Sequence, residues 1–520
     1  MLVLGGGPSG CWAAITAAAK GARVVLADKG YCGTSGATAP SGTGVWYVPP
    51  DADARAQARA SREALGGFLA ERRWMDRVLD RTFQNMNELA TQGYPFQLDE
   101  EGRQIRRGLQ GPEYMRLMRK LVKRAGVRIL DHSPALELLT DGHGVGGAAG
   151  VHTRTGARWR VTAGAVVLAT GGCAFLSRAL GCNVLTGDGG LFAAEVGAEL
   201  SGMEFSNAYA IAPAHASVTK TAFYSWATFY HADGRPIEGA GSQRGRSVIA
   251  KTLLSEPVFA CLDRVPAAYR SCLREQQPNF FLPFDRLGID PCAQKFEVTL
   301  RLEGTVRGTG GIRIVADDCA TTVPGLYAAG DAATRELICG GFTGGGSHNA
   351  AWAMSSGSFA GEGAALHART LGARADKRKL ESAGRATLDA GVSQETPIDP
   401  SAIVRGVQDE VYPYDKNLFR TEQGLARSRE TLDGLWREVQ ARPEQLARTV
   451  VRGREAAAMV ATARWMYASA SARTETRGMH KHQDFPTLDP AQQRRIVCGG
   501  LDQVWVRPER ESAPARESAA

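Results

Sequence analysis

The sequence predicts an α/β protein: a Rossmann-like domain interrupted by an inserted α+β lobe and followed by a helical C-terminal domain. Three observations lead there. Gly5-x-Gly7-x-x-Gly10 lies between the strand Leu2-Val3-Leu4 and an Ala-rich helix, Ala13–Lys20, with a second strand at Arg23-Val24-Val25-Leu26. Between 205 and 300 the pattern turns irregular, aromatic and proline-punctuated, and strand-and-glycine texture returns only over 306–332. The Arg/Glu/Ala-rich stretch 421–472 has the composition of two long helices.

The remaining elements follow in order. Two polar helices are expected around 51–66 and 71–92, a third over 112–125, and a strand at Val127–Leu130. Hairpin strands should fill 133–170 around the Asp141-Gly142 and Thr155-Gly156 turns, ending in the apolar strand Ala165–Ala169. A helix near 350–368 precedes a charged linker. The expected domains are therefore 1–205 and 301–372 for the two parts of the nucleotide-binding domain and 206–300 for the inserted lobe. A linker at 373–400, a helical domain at 401–498 and a tail at 499–520, expected to be disordered from Pro508 onward, complete the chain. The first strand is short, which leaves room for a natural start a few residues upstream.

Composition narrows the function classes. Apolar residues make up 43% and charged residues 22%, an ordinary globular balance that excludes wholesale disorder. Lys+Arg exceed Asp+Glu by 62 to 54, too mild an excess over 520 residues to indicate nucleic acid. No apolar run reaches the roughly 18 residues a membrane span needs. The ten cysteines contain no C-x-x-C pair, which argues against an internal iron–sulfur or zinc site and for a reducing, cytoplasmic setting. No metal is expected.

The glycine motif gains weight from its setting. Gly5 permits the turn, Gly7 admits a pyrophosphate, and Gly10 packs helix on strand, with Pro8 and Ser9 completing the loop. The helix N-terminus offers free N–H groups to phosphate. Asp28, beside Lys29, closes the second strand eighteen residues after Gly10, where an acid would bind ribose hydroxyls. Two later strands end in small-residue turns, Val166–Gly172 with Thr170 and Gly171, and Gly325–Ala332 with Gly330 and Asp331. A nicotinamide enzyme needs no such late returns, whereas the extended cofactor FAD does.

Five islands then resemble the succinate dehydrogenase/fumarate reductase flavoprotein family, which includes L-aspartate oxidase and the α chain of adenylylsulfate reductase. They are the N-terminal cradle, Thr34–Gly44 (TSGATAPSGTG), Thr186–Phe205 (TGDGGLFAAEVGAELSGMEF), Gly310–Gly361 and Glu475–Pro486 (ETRGMHKHQDFP). The resemblance implies a glutathione-reductase-type FAD domain with a mobile capping domain inserted in it. By family position Thr34, Ser35, Ala37, Ser41 and Gly42 would line the flavin and pyrophosphate. Ala135 would meet the adenine, and Asp188 and Asp331 the cofactor's linker. The helix starting near Asn349 and Ala350 would aim its N-terminus at the flavin pyrimidine ring.

Departures from that family are as informative. Thr34-Ser35-Gly36-Ala37 stands where some members carry a flavin-linking histidine, so non-covalent FAD is expected. The two dicarboxylate-binding histidines fall at Tyr209 and Val306, and the substrate-gripping arginine near Gly344, counting from the motifs. Without those anchors a buried carboxylate goes unpaired, which makes a C4-dicarboxylate substrate unexpected. Gly245-Arg246-Ser247-Val248-Ile249-Ala250-Lys251 resembles the segment whose arginine handles the proton opposite flavin N5. Arg246, with Tyr209 at the first histidine's place, is the catalytic candidate; an anion-binding or structural role for Arg246 stays open.

Weaker candidates are His215, His231 and the aromatic patch Phe223, Tyr224, Trp226, Phe229 and Tyr230; loop solvation and lobe packing are their ordinary roles. His480 and His482 read as structural. The function expected is hydride transfer between flavin N5 and a small organic substrate, with a ferredoxin-like or other iron–sulfur protein as separate electron carrier. The alternatives are an oxygen-using oxidase or monooxygenase, a flavin attack on sulfur, and a non-catalytic or RNA-associated electron-transfer component.

Overall fold

The computed structural model describes residues 1–219, 221–242, 245–343, 345–385, 399–441 and 450–509. Leu2–Leu4 has all three side chains buried, as a strand covered on both faces must. It is the middle strand of a five-stranded parallel sheet in the order Leu326–Ala328, Val166–Leu168, Leu2–Leu4, Val25–Ala27, Arg128–Leu130. The helix Pro8–Ala19 packs against the long helix Gly345–Leu371, where a Cβ on Gly361 would sit 2.3 Å from the Ala13 carbonyl. Small residues on this seam bring the two helices together over the sheet.

Ala135–Thr140, Val145–Val151 and Arg158–Thr162 form the expected antiparallel hairpins, with Glu381–Ser382 added at one edge. The expected helices appear as Ala52–Leu65, Arg72–Thr91 and Gly111–Arg124. Asp51 caps the first of them by accepting from the Ala54 N–H.

The inserted lobe is an antiparallel sheet, Ala208–Pro213, Phe296–Glu303, Val258–Cys261, Thr228–Tyr230, with the helices Arg246–Thr252, Arg270–Gln276 and Pro278–Leu287. Its first and last strands in the chain lie side by side, Tyr209 opposite Leu302, so the lobe leaves and rejoins the FAD domain at one place. Asn279 Nδ2 donates to the Pro40 carbonyl (2.8 Å) and Gln110 Nε2 to that of Gln276 (3.0 Å), tying the lobe down across the cavity below it.

The helical region holds Glu422–Ala441 and Val450–Ala472, and also Pro400–Val411, capped by Asp399. Val450–Ala472 is buried on nearly every side, which explains its mixed, weakly amphipathic sequence. The stretch read as a tail from 499 needs correction. Trp505–Pro508 pairs with Ile496–Gly499, which pairs in turn with Leu200–Ser201. The tail beyond 509 and residues 386–398 of the expected linker lie outside the described residues. Linker residue Arg378 is docked, forming an ion pair with Asp141 at 2.7 Å.

A buried ionic chain joins the helical region to the FAD domain. Arg473 pairs with Glu204 and with Glu475, both at 2.8 Å, and Glu475 takes Arg477 at 2.6 Å. Arg420 donates to the Glu204 carbonyl at 2.7 Å. Met203-Glu204-Phe205 and Glu475-Thr476-Arg477-Gly478 thus meet as a structural clamp. Among the described residues no helix is long and apolar enough to cross a membrane.

Candidate active site

A cavity of about 730 Å³ runs from the C-terminal edge of the parallel sheet to the underside of the inserted lobe. Its floor begins at the glycine loop, where the three glycines do different things. Gly5 has φ +106°, and a Cβ there would lie 2.2 Å from the Ala169 carbonyl oxygen. A Cβ on Gly10 would lie 1.8 Å from the Gly5 carbonyl, so Gly10 serves packing and does not line the cavity. A Cβ on Gly7 would meet nothing within 4 Å. Gly7 lines the cavity with Pro8 and Ser9 at the start of Pro8–Ala19, whose first N–H groups have no intrahelical acceptor. That open cradle fits a diphosphate.

Asp28 is fixed at the end of the second strand. Its Oδ2 accepts from the Gly6 N–H (2.6 Å), and its Oδ1 from the Gly30 N–H (2.8 Å) and Ser35 Oγ (2.7 Å). Ser35 therefore orients this carboxylate. Lys29 donates to Asp188 Oδ2 and lies the same 2.7 Å from Glu455 Oε1. Burial works against the Lys29 charge, but the two carboxylates outweigh it and raise its pKa. Ala37, Ser41, Gly42, Ala135, Thr170, Gly171, Asp188 and Asp331 all line the cavity. Asp331 forms an ion pair with the buried Arg335. Asn349 and Ala350, in the first turns of Gly345–Leu371, line it too; Asn349 donates to the Val306 carbonyl at 3.2 Å while its Oδ1 is buried without a partner. Diphosphate cradle, strand-end carboxylate and two late strand ends on one cavity match an extended dinucleotide.

Three expected contacts stand elsewhere. Thr34 is exposed, held by its N–H to the Tyr31 carbonyl (2.9 Å), and does not line the cavity. Gly330 sits behind the wall, its N–H donating to Ser356 Oγ (2.9 Å) and its carbonyl accepting from Trp352 Nε1 (3.0 Å). Tyr209 is the clear correction among the catalytic candidates. Its hydroxyl turns away from the cavity and donates to the Val411 carbonyl at 2.8 Å, so the buried ring packs the lobe on the helical region. Gly344 lies outside the described residues.

At the lobe end the cavity is lined by Arg246, Arg307, Val306, Phe223, Gln110 and Gln276, among others. Arg246 Nε donates to the Ser242 carbonyl (2.7 Å) and Nη1 to that of Tyr209 (3.3 Å). Burial, and then the like charge of Arg307, lowers its pKa to about 10, with Glu303 opposing. Arg307 escaped sequence reasoning although it adjoins Val306, where the second histidine falls; asking which charged neighbour shares that short helix, Gly304–Arg307, would have found it.

The weaker candidates resolve simply. Of the aromatic patch only Phe223 reaches the cavity; Tyr224 and Phe229 are buried in the lobe, and Tyr230 donates to Asp263 at 2.7 Å. His215 packs edge-on against Phe284, and His231 pairs with Glu256 at 2.8 Å. His480 accepts from Arg420 through Nδ1 (2.7 Å) and is buried, as is His482. Among the described residues no group of three His, Cys, Asp or Glu side chains comes together as a metal site.

Comparison with known proteins agrees with this geometry. The FAD binding domain family profile matches residues 1–215, and the fumarate reductase flavoprotein C-terminal profile residues 411–504. L-Aspartate oxidase of Streptomyces coelicolor is 27% identical over 570 aligned residues, spanning 99% of this chain and 92% of its own. One subunit of the fumarate reductase (CoM/CoB) of Methanothermobacter marburgensis is 23% identical, spanning 96% of each chain. Among solved structures, a mutant FrdA of E. coli quinol fumarate reductase superposes with TM-score 0.80 at 20% identity, covering 99% of this chain and 97% of that one. Archaeoglobus fulgidus adenylylsulfate reductase superposes at 0.75 and 19%, covering 98% and 94%. The chain is an FAD-dependent oxidoreductase and belongs to the succinate dehydrogenase/fumarate reductase flavoprotein family.

Proposed function

We propose that this oxidoreductase moves a hydride to or from a small organic substrate other than a C4-dicarboxylate and exchanges electrons with a separate carrier. The observation that carries the reading is the lobe end of the cavity: Arg246 lines it, Val306 is apolar there, and the Tyr209 hydroxyl faces away. When bound, FAD would supply the hydride donor or acceptor at its N5. Gly7, Ser9, Asp28 and Asn349 would hold it. Thr34–Ala37 supplies no histidine to link it covalently, so it would be held without a covalent bond. Arg246 would hold or move a proton at its guanidinium, whose desolvation brings its pKa down toward the working range. The contacts of Asn279 and Gln110 would keep the lobe closed and exclude water.

Two observations support a separate carrier. The chain has no C-x-x-C pair, and its relative from Methanothermobacter marburgensis is by name one component of an assembly. An iron–sulfur or ferredoxin-like protein of the cytoplasm is the carrier we propose. The second reading is an oxidase using oxygen directly, favoured by full-length likeness to proteins named L-aspartate oxidase. The test of substrate class is anaerobic mixing of holoprotein with L-aspartate, succinate, fumarate and a panel of monocarboxylates, followed at the flavin absorbance. Bleaching or reoxidation by monocarboxylates alone supports the proposal; turnover of L-aspartate, succinate or fumarate overturns it.

A further inference from the structure

Arg307 and Arg246 are brought to one end of the cavity by adjacent strands. Phe296–Glu303 runs directly into the short helix that ends in Arg307, and its neighbour Ala208–Pro213 holds Arg246 through the Tyr209 carbonyl. The carboxylate against them is that of Glu303, fully buried, 3.3 Å from Arg307 Nη1 and accepting from Thr219 Oγ1 at 2.9 Å. Two guanidinium groups against one carboxylate leave one positive charge facing the cavity. Lys29, the other described cation lining it, is already engaged by Asp188 and Glu455. Among the described residues lining the cavity, the excess of positive charge therefore sits at this one place. Beside it the wall is apolar, with Val306 and Phe223, whose ring is backed by Phe280 at 5.3 Å.

From this arrangement we infer that Arg307 is a specificity-determining residue: with Arg246 it binds the one carboxylate of a monoanionic substrate whose apolar body lies against Phe223. The inference rests on the proposed reaction and names its substrate class. A guanidinium fork suits a carboxylate, and low solvent access strengthens the pair. A second carboxylate on the substrate would face Val306 and Phe223 without a partner, which costs desolvation energy that nothing returns. The depression of the Arg246 pKa by Arg307 agrees with the closeness of the two groups.

The test is titration of oxidised holoprotein with benzoate, benzyl alcohol and succinate, read by calorimetry and by the flavin difference spectrum. Benzoate is expected to bind at least about tenfold more tightly than benzyl alcohol or succinate. The variant Arg307→Leu, which leaves Arg246 and Glu303 to balance each other, should lose that preference for benzoate while retaining FAD. If that variant fails to fold, Arg307→Lys keeps the charge but not the fork, and should weaken benzoate about threefold or more. Benzoate affinity unchanged in both variants, or equal to that of benzyl alcohol in the wild type, overturns the inference. The reading of the reaction fails separately, through turnover of L-aspartate, succinate or fumarate.

Discussion

Arg246 donates from Nη1 to the main-chain carbonyl of Tyr209, 3.3 Å away, so the residue expected at the place of a substrate-binding histidine steadies the arginine with its backbone. Its side chain meanwhile packs against the helical region. Arg246→Ala should lower kcat by about 10²–10⁴-fold, the usual worth of a positioned proton-handling group. FAD content should be unchanged, because Arg246 stands at the lobe end of the cavity, away from the glycine loop. Steady-state assay beside flavin quantitation checks this, and full activity in the variant removes Arg246 from the chemistry.

Gly7 and Gly10 should separate binding from folding. A side chain on Gly7 meets only open cavity, so Gly7→Val should fold with FAD affinity down about tenfold or more. Gly10→Val has no room, since even a Cβ would lie 1.8 Å from the Gly5 carbonyl, and should yield little folded protein. Circular dichroism and FAD release on both variants decide the matter.

The clamp Glu204–Arg473 is fully buried on both sides. Removing one partner strands the other, which typically costs about 3–5 kcal/mol. Arg473→Ala should therefore shift the urea unfolding midpoint strongly downward, while substitution of the exposed Arg235, paired with Asp233 at the surface, should leave it nearly unchanged.

Stability should also fall as pH rises through the neutral range. Burial, and then the charge of Glu204, pushes the Glu336 carboxyl from 4.5 up to about 8. A group whose folded pKa is raised binds more protons in the folded state. Its stabilising contribution is complete below about 4.5 and is lost as pH passes through about 8, at no more than about 1.4 kcal/mol per pH unit. Glu336→Gln should flatten that decline, as urea titrations at a series of pH values would show.

The sequence revealed the FAD half of the cavity more fully than the substrate half, for a physical reason. The cradle is local: strand, turn, helix and Asp28 lie within the first 28 residues, and the loop chemistry dictates its spacing. The substrate end is assembled from Arg246, Arg307, Phe223 and Gln110, far apart in the chain, and the lobe's strand pairing alone brings the two arginines together. Counting from motifs singled out Tyr209 but could not show which way its hydroxyl turns. The strand Trp505–Pro508 escaped for a similar reason, since its pairing with Ile496–Gly499 is the main support for an otherwise charged segment.

The most direct test of the account is the fate of the reduced protein in air. Holoprotein would be photoreduced without oxygen, then mixed rapidly with air-saturated buffer and followed at the flavin absorbance. A closed cavity serving a separate carrier predicts reoxidation over many minutes, sharply accelerated by an added iron–sulfur carrier. Reoxidation within seconds, with peroxide released, would contradict it and make the protein an oxidase.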